Sequence, residues 1–101
     1  MTDHDLDTLI ESGVIAVVRA RETTGLTTVA RALVEGGVRA MEITLTTPGA
    51  VDAIAKLSRD NAGVLVGAGT VLDASAARSV LDAGARFVVS PTCEMLSLIH
   101  I

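Results

Sequence analysis

A chain of 101 residues can hold one small domain, near the lower end of what builds a self-sufficient core. Half of its residues are hydrophobic, yet Phe87 is the sole aromatic, so Ala, Val, Leu and Ile must do the packing. A formal net charge of -4 with scattered cations argues against nucleic acid or an anionic membrane as partner, and the lone Cys93 excludes an intrachain disulfide or a cysteine-based metal cluster.

His4 and His100 stand near opposite ends without metal-ligand spacing and read as terminal, solvent-facing residues. The acidic start "MTDHDLDTLIESG" lacks an apolar core of signal-peptide length, and no apolar run reaches the ~18 residues that span a bilayer. A soluble cytoplasmic protein is the expectation.

In chain order, a helix over about residues 3–11 comes first. A Gly-containing stop then recurs, "ESGV" from Glu11, "EGGV" from Glu35, "NAGV" from Asn61 and "DAGA" from Asp82, at intervals of 24, 26 and 21 residues. Each stop closes a helical segment with glycine, and each is followed by a short apolar run: "VIAVV", "VRAMEITL", "VLVGAG" and "RFVVS". After the first run, Leu26, Val29, Ala30, Leu33 and Val34 trace one apolar helix face. After the second, Thr47 and Pro48 read as N-cap and first helical residue, with Val51, Ile54 and Ala55 turned inward. After the third, Asp73 caps a helix that buries Ala77, Val80 and Leu81.

Strand–helix alternation implies parallel strands joined by crossovers, hence an α/β fold. In the second strand Met41, Ile43 and Leu45 share one face, while Ala40, Glu42 and Thr44 share the other. A doubly wound sheet meets helices on both faces and wants both apolar. A polar face fits better inside a barrel whose rim meets a ligand, so the pattern favours the first four strands of a (β/α)8 barrel. Such a barrel needs eight units and ~200 or more residues. The 101 residues therefore read as one half-domain, and the "SPTCEMLSLIHI" end, after about residue 93, as truncated or artificial.

Ligands of parallel α/β folds sit at the carboxyl ends of the strands. The residues there are Arg19, Glu42, Thr46, "GAGT" (67–70), Ser90 and Pro91. A carboxylate inside an apolar strand is costly to bury. Glu42 is either a general acid/base whose pKa burial lifts toward neutrality, or a structural partner of Arg19 or Arg39. Arg19 can bind a carboxylate or phosphate in bidentate fashion, or be a solvated loop residue. "GAGT" lets a ligand approach the backbone beside the Thr70 hydroxyl, or is a tight turn; it lacks the third glycine of the dinucleotide fingerprint. Thr46 and Thr47 read as turn and cap residues. Cys93 has no neighbouring base in the sequence, and Lys56 reads as a solvated helix position.

"VIAVVRA" (14–20), "ALVEGGVRAMEITLTTP" (32–48), "VLVGAGTVLD" (64–73) and "AGARFVVSP" (83–91) resemble, in order and spacing, the N-terminal half of bacterial 2-keto-3-deoxy-6-phosphogluconate/4-hydroxy-2-oxoglutarate aldolases. The combination is specific over about residues 9–93, although relatives acting on 2-keto-3-deoxy-6-phosphogalactonate share it. The resemblance implies a (β/α)8 barrel, a cytoplasmic homotrimer and a class I aldolase of the Entner–Doudoroff pathway that needs no metal or other cofactor. Its partner is a small 2-keto acid, cleaved through a lysine Schiff base to pyruvate and an aldehyde.

By matching motif, Glu42 becomes the proton shuttle, Thr70 the neighbour of the pyruvate carboxylate, Gly69 part of the same binding turn, Arg19 a cation at the mouth, and Pro91 a shaper of the pyruvate pocket. Two departures stand out. Thr46 occupies a position where some members carry an anchoring Arg, and the Schiff-base lysine of the sixth strand has no counterpart in these residues. The chain by itself is therefore expected to be inactive. Another phosphate-binding barrel enzyme and a non-catalytic, self-associating half-barrel stay open as alternatives.

Overall fold

The computed structural model of the chain describes residues 3–22, 24–60 and 63–91. The elements run α1 (Asp3–Ser12), β1 (Ala16–Val18), α2 (Leu26–Glu35), β2 (Ala40–Thr44), α3 (Ala50–Asp60), β3 (Leu65–Gly69) and α4 (Ala74–Ala83). The strands form a parallel sheet in the order β1-β2-β3. Its register sets Val17 beside Glu42 and Glu42 beside Gly67.

One face of the sheet carries the apolar core. Met41 and Ile43 of β2 and Val66 and Ala68 of β3 pack there with Leu26 and Ala30 of α2, Ile54 and Leu57 of α3, and Ala77 and Val80 of α4. All three crossover helices therefore bury their stripes in a single core on the Met41 face. Among the described residues the Glu42 face has no such cover, and its Val17 is 63% exposed. That one-sidedness departs from a doubly wound sheet, which needs helices on both sides.

Helix ends follow local chemistry. The Asp73 side chain accepts the Ala76 N–H at 2.7 Å, as its N-cap position requires. At the other end Gly84, at φ 113°, lets Gly84 N–H reach the Leu81 carbonyl and Ala85 N–H the Val80 carbonyl, which closes α4 in a Schellman motif. α2 closes the same way through Gly37.

Three expectations need correction. First, α3 begins at Ala50, so Thr47 and Pro48 lie in the preceding turn and are not its cap and first residue. This shifts the buried stripe to Ala50, Ala53, Ile54 and Leu57, spaced i, i+3, i+4, i+7, and leaves Val51 38% exposed. Second, Val29 and Val34 of α2 stay 40% and 38% exposed, because its inward stripe is the narrower Leu26–Ala30–Leu33 row. Third, "RFVVS" makes a single bridge, Val88 to Ala68, and not a full strand. Backbone hydrogen bonds still tie it to β3: Arg86 N–H to Val66 O, Ala68 N–H to Phe87 O and Val89 N–H to Ala68 O, at 2.8–3.0 Å. Past Thr70, held at a left-handed φ of 58°, one more bond joins Val71 N–H to Val89 O at 3.2 Å. Among the described residues, nothing pairs with the far side of 86–89.

α1 crosses the N-terminal end of the strands. It is fixed there by Asp5, 3% exposed, which accepts both Arg86 Nε (3.1 Å) and Nη2 (3.0 Å). Cys93, His100 and the end of the chain lie outside the described residues. No described helix is long and apolar enough to cross a membrane.

Candidate active site

Parallel strands send all their carboxyl ends to one edge, and the side chains there are those the sequence singled out. Arg19 follows β1, Glu42 and Thr44 lie in the second half of β2, Thr70 follows β3, and Ser90 and Pro91 follow the bridge segment. Arg19, Thr46 and Pro91 are exposed at this edge, whereas Glu42 and Gly69 are buried.

Glu42 is 7% exposed and belongs to the face without helices. Its carboxyl extends along the sheet over Gly69, and a Cβ at Gly69 would overlap it. Among the described residues no ion pair joins it to Arg19 or Arg39, so the structural alternative to an acid/base role lacks its partner. Burial, with no compensating cation, raises its pKa above the ordinary 4.5. Such a carboxyl can take up and return a proton nearer neutrality than a solvated one.

The glycines of "GAG" act as seats. Gly67 lies under the Phe87 ring and Gly69 under the Glu42 carboxyl, and neither site has room for a Cβ. Phe87, 5% exposed, thus forms an apolar wall on the Glu42 face, a part the sequence reading did not assign. Its signal was weak: the lone aromatic, alternating with Val88 in a strand-like run. Thr70 completes the turn at φ 58°, a costly backbone for a β-branched residue, of the order of 1–3 kcal/mol, and such strain concentrates at functional turns.

In the loop after β2, where Thr46 stood among the candidates, the sequence reading did not join the hydroxyls to one another. Thr44, Thr46 and Thr47 form a hydroxyl cluster, with Thr44 Oγ1 at 3.0 Å from Thr46 Oγ1 and 3.4 Å from Thr47 Oγ1. Thr47 Oγ1 also accepts the Ala20 N–H at 3.2 Å. The β1 and β2 exit loops are thereby joined.

A cavity of about 390 Å³, lined in part by His4, Asp5, Arg39 and Arg86, lies at the opposite end of the strands, away from Glu42. Its best placed ionic groups, Asp5 and Arg86, already hold each other. Among the described residues no group of three or more His, Cys, Asp or Glu is arranged to hold a metal.

Residues 6–98 match the family described as KDPG and KHG aldolase. The chain belongs to that family. A 2-dehydro-3-deoxy-phosphogluconate aldolase of Treponema pallidum is 47% identical over 78 residues, which are 77% of this chain and 37% of that protein. The KHG/KDPG aldolase of Escherichia coli K12 is 42% identical over the same shares. Among solved structures, the Legionella pneumophila KDPG aldolase, with pyruvate captured as a covalent carbinolamine intermediate, superposes with a TM-score of 0.84 at 36% identity, covering 92% of this chain and 45% of that one. This aldolase-family chain thus spans less than half the length of the relatives it matches.

Proposed function

We propose that this chain carries the proton-transfer part of a class I aldolase. The whole enzyme would cleave 2-keto-3-deoxy-6-phosphogluconate or 4-hydroxy-2-oxoglutarate to pyruvate plus glyceraldehyde 3-phosphate or glyoxylate, with 2-keto-3-deoxy-6-phosphogalactonate as the alternative substrate. The observation that carries the reading is the buried Glu42 carboxyl, without an ionic partner among the described residues, at the carboxyl edge of a parallel sheet in a KDPG and KHG aldolase family chain. One-sided helix packing and the likeness to solved aldolases support its being the first four units, residues 1–101, of a (β/α)8 barrel.

In this reading a lysine amine adds to the C2 ketone to give a carbinolamine, which loses water to form an iminium ion. Glu42, through a water, takes the proton of the C4 hydroxyl; the C3–C4 bond breaks, its electron pair moves into the iminium, and the aldehyde leaves. The proton then returns to C3 of the enamine, and water releases pyruvate and the free amine. The turn of Gly69 and Thr70 receives the substrate carboxylate, Pro91 shapes the pocket, and Arg19 meets the distal anion. Thr46 offers a hydroxyl where some family members carry an Arg cation.

The amine must come from outside these residues. Lys56, the one lysine, is exposed on α3, which packs on the opposite side of the sheet from Glu42. Incubation of the 101-residue chain with pyruvate and borohydride should leave it unmodified by mass, and an adduct on Lys56 would refute this assignment. In any longer form that holds the imine-forming lysine, Glu42→Gln should lower kcat by roughly 10²–10⁴-fold. Homotrimer formation and cytoplasmic sugar-acid breakdown rest on the family resemblance alone. A second reading, self-association of the chain by itself, is favoured by the edge position of β1 and the exposed Val17 beside it.

A further inference from the structure

We propose that Thr47 is a positioning residue: its hydroxyl, by accepting the Ala20 N–H, fixes the peptide unit that follows Arg19 and so sets where that guanidinium starts from. The inference rests on the reading of Arg19 as the cation that meets the substrate's distal anion.

The peptide unit between Arg19 and Ala20 contains the Arg19 carbonyl and the Ala20 N–H. Anchoring that N–H therefore restricts rotation at the Arg19 backbone. The anchor is well suited to the task. Thr47 is 2% exposed, and its Oγ1 lies 3.2 Å from Ala20 N. A threonine hydroxyl has one proton to donate and two lone pairs. One lone pair serves Ala20, and the rest of the group faces Thr44 Oγ1, itself 1% exposed and 3.0 Å from Thr46 Oγ1. Three hydroxyls thus connect the Arg19 exit loop to the Thr46 rim across two neighbouring strands. Capping does not account for Thr47, since α3 starts at Ala50. Nor does apolar packing, which a valine would satisfy equally.

The experiment uses the 101-residue chain with inorganic phosphate as the anion probe. Binding is followed by amide chemical shifts, and backbone order by hydrogen exchange. Thr47→Val keeps the side-chain shape and removes the acceptor. It should speed exchange of the Ala20 amide by roughly tenfold and weaken phosphate binding by a similar factor, while the core amides of Ile43 and Val66 keep their protection. Thr47→Ser should restore both. Should the valine variant fail to fold, Thr47→Cys, a weak acceptor of similar size, should give an intermediate loss of both. Unchanged Ala20 exchange, or a phosphate affinity indifferent to Thr47, would overturn the positioning role. Arg19→Ala separates the two ideas: if it leaves phosphate affinity unchanged, the anion-binding role of Arg19 fails, and Thr47 is reduced to a clasp between loops.

Discussion

The Glu42 carboxyl lies across Gly69 of the adjacent strand, in the space that any other residue would fill with its Cβ. The candidate proton carrier and the glycine turn are therefore one packing unit.

Gly69→Ala should be felt first at Glu42. The added methyl must push the carboxyl off the sheet, at a cost of about 1–3 kcal/mol of overpacking. Once displaced toward solvent, the carboxyl should titrate closer to its ordinary value. Urea unfolding together with an NMR titration of Glu42 checks both halves. A variant of unchanged stability and unchanged Glu42 titration would contradict the contact.

Glu42 should also make stability depend on pH in a defined direction. Its pKa is raised on folding, so folding favours the protonated acid. That contribution is fully present below the unfolded value near 4.5 and is lost as pH rises through the raised folded value. Glu42→Gln, neutral throughout, should match the parent chain near pH 4 and exceed it at pH 8 by on the order of 1 kcal/mol, the cost of an unsatisfied buried group. Unfolding at the two pH values measures the difference. An equal effect of the substitution at both would exclude the mechanism.

The Asp5–Arg86 pair should respond unequally to removal of its two members. The Asp5 side chain is 4% exposed and that of Arg86 is 52% exposed. Asp5→Ala leaves a guanidinium that water can reach, and should cost about 1 kcal/mol. Arg86→Ala takes the bidentate partner from a buried carboxylate, and should cost about 2–3 kcal/mol. Equal losses in thermal unfolding would mean that burial does not govern this pair.

Val17→Lys tests self-association. If chains meet through the open sheet face and the β1 edge, sedimentation of the parent chain should show concentration-dependent assembly. A charge at a site 63% exposed should abolish it at little cost in stability. A monomeric parent chain with cooperative unfolding would dismiss this reading.

Much of the fold was legible because it is written in local spacing. The Asp73 cap, the glycine stops at Gly37 and Gly84, and the alternation that turns Glu42 away from Met41 and Ile43 each depend on residues a few positions apart. What escaped depends on register or distance. The start of α3 moved by two residues, from Pro48 to Ala50, because its turn extends to Gly49, and no local pattern separates Val51 from Ala50 as the buried position. That Gly67 and Gly69 also seat Phe87 and Glu42 emerges only when strands are set side by side. Thr47 was misread because its partner, Ala20, belongs to another strand's exit loop. The family resemblance rested on whole motifs and held even though the edge segment 86–89 forms less of a strand than its composition implies.

The clasp between Asp5 and Arg86 has a consequence for synthesis. Its members are separated by 81 positions, so the first helix to leave the ribosome has its ionic seat only after nearly all the described chain has been translated. Until then the bidentate contact to Arg86 is missing, and the final docking of that helix belongs among the late events of folding.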